Sequence, residues 1–192
     1  MKSKFLSFFF FSILIYFVPG HTSFASVNAT TLDEVKASLK TAGNHRFVYM
    51  MFFKLYDAQL YTDATSIQGP DQLLDGSSAL LLEFDYLRKI KKSIILESSE
   101  KLLIKNMSPA ELASIQERVD RLNRVYRTVD KGDCLALSYV PGEGTTLWIN
   151  DKPAITIEGN DFVQLYFRIW LGEQPISRQM RDDLLQPVLI KG

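Results

Sequence analysis

Along the chain, apolar and polar positions change rhythm several times, and each change predicts an element. Residues 5–18 are apolar except for Ser7 and Ser12. Two lysines and no acid precede that run, Pro19-Gly20 break it, and Ser23-Phe24-Ala25 sets small residues at the two positions a signal peptidase reads. This order predicts a cleaved secretory signal over 1–25 and one domain over 26–192. A membrane-spanning helix wants about 20 apolar residues, so no span is expected after cleavage. The expected location is periplasmic or secreted.

Residues 46–61 are rich in aromatics and contain neither Gly nor Pro, which reads as strand. Sixteen residues would extend about 50 Å, longer than most strands, so a bend or hidden turn is expected within them. Turn residues fill 62–78, and 79–87 is a second apolar strand. Two helices follow. The first covers 93–104. The second opens on Ser108-Pro109-Ala110-Glu111, a capping box with Pro at the first helical position. Leu112, Ile115, Val119, Leu122 and Tyr126 then share one face at spacings of three and four. Three short strands, 134–140, 145–149 and 154–157, are joined by Pro141-Gly142-Glu143-Gly144 and Asn150-Asp151-Lys152-Pro153 as a meander. A helix capped near Asn160-Asp161 and running over 162–171 stops at Gly172, and a last one covers 177–185. Strands on either side of a helical pair, without βαβ alternation, predict an α+β domain: an antiparallel sheet with helices on one face.

Composition changes this picture in one respect. The 192 residues carry 22 basic and 22 acidic groups. Without the signal and its two lysines, 167 residues remain with 20 basic and 22 acidic groups, a net charge of −2. No overall basic excess draws such a domain to nucleic acid or anionic lipid. One cysteine excludes an internal disulfide framework, and Cys134 in an apolar strand reads as a buried small hydrophobe. The domain has a single histidine, His45, with no acid within ten residues, and no Gly-x-Ser-x-Gly elbow. It reads as an exposed loop side chain. No cofactor, metal site or catalytic nucleophile is expected.

The remaining candidate chemistry is a polar pair on an apolar strand. In an unbent strand Arg46 and Tyr56 have the same parity and share a face with Val48, Met50 and Phe52. A guanidinium and a phenol in an apolar wall could receive a carboxylate whose tail lies along that wall. Alternatively, Arg46 snorkels from a strand end and Tyr56 is ordinary core.

Five motifs occur in register: Ala42-Gly43-Asn44-His45-Arg46; Lys54-Leu55-Tyr56-Asp57-Ala58-Gln59-Leu60-Tyr61; Leu82-Glu83-Phe84-Asp85-Tyr86-Leu87-Arg88; Lys131-Gly132-Asp133; and Asn160-Asp161-Phe162 through Ile169-Trp170-Leu171-Gly172. Together they resemble bacterial exported chalcone-isomerase-like proteins. The resemblance implies an open-faced β-sandwich in which helices cover a large sheet and the ligand sits between them. Arg46 matches the arginine that the isomerases use. Leu112 and Ile169, however, stand where catalytic hydroxyl residues are expected, and no Asn follows Leu112 until Asn123. Tyr56 near the position of a Thr resembles the fatty-acid-binding branch of the fold. The reading that follows is a non-catalytic binder of a small amphipathic or lipid-like ligand. Arg46 and Tyr56 would hold its head, and Val48, Met50, Phe52, Phe162, Tyr166 and Ile169 would line its tail. A weak isomerase-type lyase and a protein-interaction module with a vestigial pocket are the alternatives, and any protein partner is left open.

Overall fold

The computed structural model describes residues 31–189; the expected export signal lies outside them. Six strands form one antiparallel sheet in simple chain order. They are β1 (Lys40–Tyr49), β2 (Phe53–Thr62), β3 (Leu80–Tyr86), β4 (Cys134–Val140), β5 (Gly144–Ile149) and β6 (Lys152–Ile157). Seven helices complete the described residues: α1 (Leu32–Ala37), α2 (Pro70–Leu73), α3 (Lys92–Asn106), α4 (Pro109–Val125), α5 (Asn160–Tyr166), α6 (Arg168–Leu171) and α7 (Arg178–Leu185). The α+β class and the helix-covered antiparallel sheet are as the sequence predicts. None of these helices is long and apolar enough to cross a membrane.

Strand alternation sorts the side chains into two layers. On the inner face Tyr56, Ala58 and Leu60 of β2, Leu80, Leu82, Phe84 and Tyr86 of β3, and Leu135, Leu137 and Tyr139 of β4 are all buried. They pack against Ile115, Val119 and Leu122 of α4, the aromatic face of α5 and α6, and Met180 and Leu184 of α7. The Ser108–Glu111 capping box starts α4 where the sequence places it. The final helix divides at Phe167 into α5 and α6. Its N-cap is Gly159, and Asp161 grips Arg118 of α4 at 2.5 and 2.8 Å instead of capping.

In the first half the expected turn is present, while the start of β1 and helix α1 depart from the expectations. The long strand over 46–61 contains the hidden turn, at Met50-Met51, and β1 starts upstream at Lys40. The sequence also holds an unforeseen capping box, Thr31 to Glu34, which starts α1 on the outer face. Leu32 and Val35 of α1 cover Leu81, Ala136 and Trp148 there. Edge strand β1 is closed on its inner side by α7. The backbone carbonyls of Asp183 and Leu184 come so close to Gly43 that no Cβ could stand between them. His45, expected in a loop, lies on β1 with its Nδ1 2.8 Å from Asp183 Oδ2, pinning the strand to α7. Its acid partner is 138 residues away in sequence, beyond any local reading.

Candidate functional site: an apolar cavity under α3

The turn at Met50-Met51 decides where the predicted site residues lie. In an antiparallel pair, residues opposite one another share a face. Arg46 faces Asp57, and Phe47 faces Tyr56. Arg46 and Tyr56 therefore project from opposite faces of the sheet, and parity counted through the turn fails. Arg46 lies on the outer face, with its side chain 52% exposed and bound to Asp57 through Nε at 2.6 Å and Nη2 at 2.8 Å. The Arg46 guanidinium beside Asp57 holds that carboxyl below its ordinary pKa. Both charges are thus already satisfied by each other.

Tyr56 points inward, stacked on Phe47 at 5.1 Å and edge-on to Phe84 and Tyr86 at 5.3 and 5.7 Å. It borders a cavity of about 110 Å³ between the inner sheet face and the helices. The β-bulge between Phe47 and Val48 turns Leu55 toward this space as well as Tyr56. From α3, Ile94, Ile95, Ser98, Ser99 and Leu102 face it, a single stripe at helical spacing. Tyr126, Ile169 and Trp170 close the far side. Of the residues expected to line a tail, Ile169 borders this cavity. Tyr166 is fully buried just behind, its hydroxyl 3.5 Å from that of Tyr126, and Phe162 stacks on Tyr166 in the core. Val48, Met50 and Phe52 do not line the cavity; they are exposed at the β1–β2 tip.

The polar groups of the cavity are phenols and serine hydroxyls. Burial pushes the Tyr56, Tyr86 and Tyr126 phenols above their ordinary pKa, and that of Tyr166 to about 12. All four are neutral hydrogen-bond donors across the physiological range. No lysine, arginine, histidine or carboxylate is among the lining residues. Tyr86 and Tyr126 escaped the sequence reading as site residues. Tyr86 continues the inward parity of Leu82 and Phe84, and Tyr126 ends the apolar stripe of α4, so the signal was present.

The outer face carries a separate polar cluster. Glu83 is 5% exposed, ion-paired to Lys36 of α1, and accepts a hydrogen bond from Tyr61 Oη at 3.2 Å. Burial works against the Lys36 ammonium, but Glu83 outweighs it and holds its pKa above the ordinary value. Donor atoms of Glu83, Asp85 and Cys134 lie within 4.8 Å of one another. Burial, then the neighbouring carboxylates, pushes the Cys134 thiol up, so it stays protonated. With Lys36 on Glu83 and a protonated thiol, this cluster fastens α1 to the sheet and is poorly disposed to take a cation. Cys134 is half-buried here, more polar in its surroundings than the expected small hydrophobe.

The family model described as chalcone isomerase-like matches residues 23–186. The chain belongs to the chalcone isomerase-like family. Among solved structures, this family member is similar to the fatty-acid binding protein of Arabidopsis thaliana, with a TM-score of 0.57 at 13% identity over 77% of this chain and 84% of that one. At that identity the likeness establishes the fold. Comparison with curated protein sequences finds no match. The phenol-lined cavity lies between the sheet and the helices, where the resemblance led a ligand to be expected.

Proposed function

We propose that this chain is an exported, non-catalytic member of the chalcone isomerase-like family that holds a small amphipathic, lipid-like molecule in the cavity under α3. The observation that carries this reading is the lining itself: apolar walls, neutral phenols and no ion. The fatty-acid binding activity named for the Arabidopsis protein supports the ligand class. The export signal expected over 1–25 supports the location.

The lining also sharpens what the ligand's head must be. Burying a carboxylate with no cation costs several kcal/mol, whereas a neutral oxygen accepting from a phenol is satisfied. The preferred ligand is therefore neutral: a long-chain alcohol, ester or aldehyde, or a fatty acid in its protonated form. The present space is small beside the roughly 300 Å³ at which ligand pockets begin. A longer tail enters by displacing α3, whose one fully buried side chain is Leu103. A wall that buries so little opens at low cost.

Trp170 borders the cavity and reports occupancy by its fluorescence. Titration with a long-chain alcohol should saturate with an affinity independent of pH. The fatty acid of equal length should lose about tenfold in affinity per pH unit above roughly pH 5, because only its protonated form enters. Absence of saturable binding by either would end the proposal. An acid bound equally well at neutral and acidic pH would show that a cation meets the head, and the neutral-head argument would fail.

A further inference from the structure

We propose that the β1–β2 hairpin tip docks on the surface of an anionic lipid bilayer, with the basic segment Arg88-Lys89-Ile90-Lys91-Lys92 beside it neutralising the headgroups. Docking is a property of the tip and does not rest on what fills the cavity.

The first observation is exposure. Among the described residues, eight large apolar side chains are exposed, and six of them are the consecutive residues 48–53. Met51 is 86% and Phe52 81% exposed. A run of that length left in water marks a surface with a partner. A seventh, Ile94, sits near the start of α3 and lines the cavity, as does Leu55, two residues beyond Phe53 of the tip.

The second is the turn. Met50 and Met51 sit in the left-handed region, at φ 49° and 64°. The β5–β6 hairpin adopts the same geometry at Asn150 and Asp151, with φ 48° and 63°. There the residues are the polar types that tolerate this conformation. The same fold therefore uses ordinary turn chemistry in one hairpin and two exposed methionines under backbone strain in the other. Strain retained at an exposed apolar turn is accounted for by a partner of the side chains, not by the turn.

The third is charge. The segment from Leu87 to Lys92 carries four cations and no acid in a chain whose total charge is zero. It is fixed at the base of the tip: Leu87 N–H donates to the Leu55 carbonyl at 2.9 Å, and the Arg88 guanidinium lies 4.9 Å from the Phe53 ring centre. Lys54 adds a cation next to Phe53. An apolar point collared by lysine and arginine matches an interface of anionic headgroups over acyl chains. Lys89 is paired with Asp130 at 3.1 Å, so the local basic excess that the sequence totals conceal is supplied by Arg88, Lys91 and Lys92 with Lys54 alongside.

Replacing Phe52 by Trp in the full chain places a reporter on the tip. With vesicles of phosphatidylcholine and phosphatidylglycerol, two to one, the added emission of Phe52→Trp should shift to the blue and be quenched by lipids brominated along the acyl chain. Adding Lys54→Gln and Lys91→Gln should weaken that response about 25-fold, roughly fivefold per cation. High salt should weaken it too. Three results would overturn the proposal. One is emission unmoved by the vesicles. A second is an equal response to pure phosphatidylcholine that ignores the lysine changes. The third is a shift that follows protein concentration without lipid, which would assign the tip to a second copy of the chain.

Discussion

Raising the pH tests the cavity's chemistry without any ligand. Four tyrosines, at 56, 86, 126 and 166, have their phenols buried around or just behind the cavity, none more than 7% exposed. Burial raises each above its unfolded value of about 10. A group with a raised folded pKa contributes stability that is complete below the unfolded pKa and lost as pH climbs toward the folded one. The window thus opens near pH 10 and extends to about 12, where Tyr166 begins to ionise in place. Within it, the unfolded chain sheds phenolic protons that the native one keeps. One unit above the unfolded pKa, each tyrosine withdraws about 1.4 kcal/mol, so the four together remove about 5–6 kcal/mol by roughly pH 11. That is comparable to the whole stability of many domains, about 5–15 kcal/mol. The Lys36–Glu83 pair acts in the same direction, since the Lys36 pKa is also raised. Urea denaturation followed by circular dichroism at a series of pH values should show the midpoint falling steeply through this window with an unchanged slope. Phenolate absorbance should show a group of tyrosines that ionise only as the fold is lost. Tyr56→Phe should remove about 1.4 kcal/mol of the loss seen at roughly pH 11. Stability flat to roughly pH 11, or all phenols ionising while the dichroism stays native, would refute the assignment of these groups as buried neutral donors.

Two further outcomes concern the frame that holds the site. Gly43→Ala drives a methyl into the Asp183 and Leu184 carbonyls, which are backbone and cannot swing aside; it should cost about 2–3 kcal/mol in chemical denaturation and loosen α7 from β1 in hydrogen exchange. Met50→Asn with Met51→Gly replaces strained residues by those the turn geometry favours; it should stabilise the fold by about 1–2 kcal/mol, read as a raised Tm, while abolishing vesicle docking. A loss of stability in that variant would mean the methionines are held by packing.

The legible parts of this chain are those whose signals are local. The β4–β6 meander is punctuated by Gly, Pro, Asn and Asp, and α4 announces itself with Ser108-Pro109 and Glu111, so both stand where the pattern places them. The β1–β2 turn carries no such punctuation: strand length alone called for a turn within 46–61, and nothing in Tyr49-Met50-Met51-Phe52 located it. With that turn unplaced, parity counted as for an unbent strand sent Arg46 to the wrong face and Val48, Met50 and Phe52 into a wall they do not form. The period of two leaves no intermediate error, since a single slip inverts every side chain. His45 with Asp183 and Lys36 with Glu83 depend on elements meeting in space, for which periodicity holds no information. The phenols were nearer to hand. Tyr126 was placed on the correct face of α4 but read as core, because a buried tyrosine and a cavity tyrosine have the same periodicity.

The position of Arg46 also bears on the isomerase alternative. That reading drew on a guanidinium facing the ligand, and here the guanidinium binds Asp57 on the opposite face. The cavity's phenols could polarise a carbonyl as neutral donors, which is one half of enolate chemistry. The other half is a group that accepts a proton near neutral pH, and the lining supplies none. Without a base to take the proton, no enolate forms for the phenols to stabilise, and they hold a neutral oxygen in the ground state. This lining is suited to retention, because a neutral oxygen meets donors and a tail meets Ile94, Ile95, Leu102 and Ile169. A molecule with such a tail partitions into membranes, so a carrier gains by receiving it there. Ile94, which lines the cavity, is exposed near the start of α3, two residues beyond the basic segment. Transfer at that end would spare the tail a passage through water, which costs about 0.8 kcal/mol for each methylene exposed.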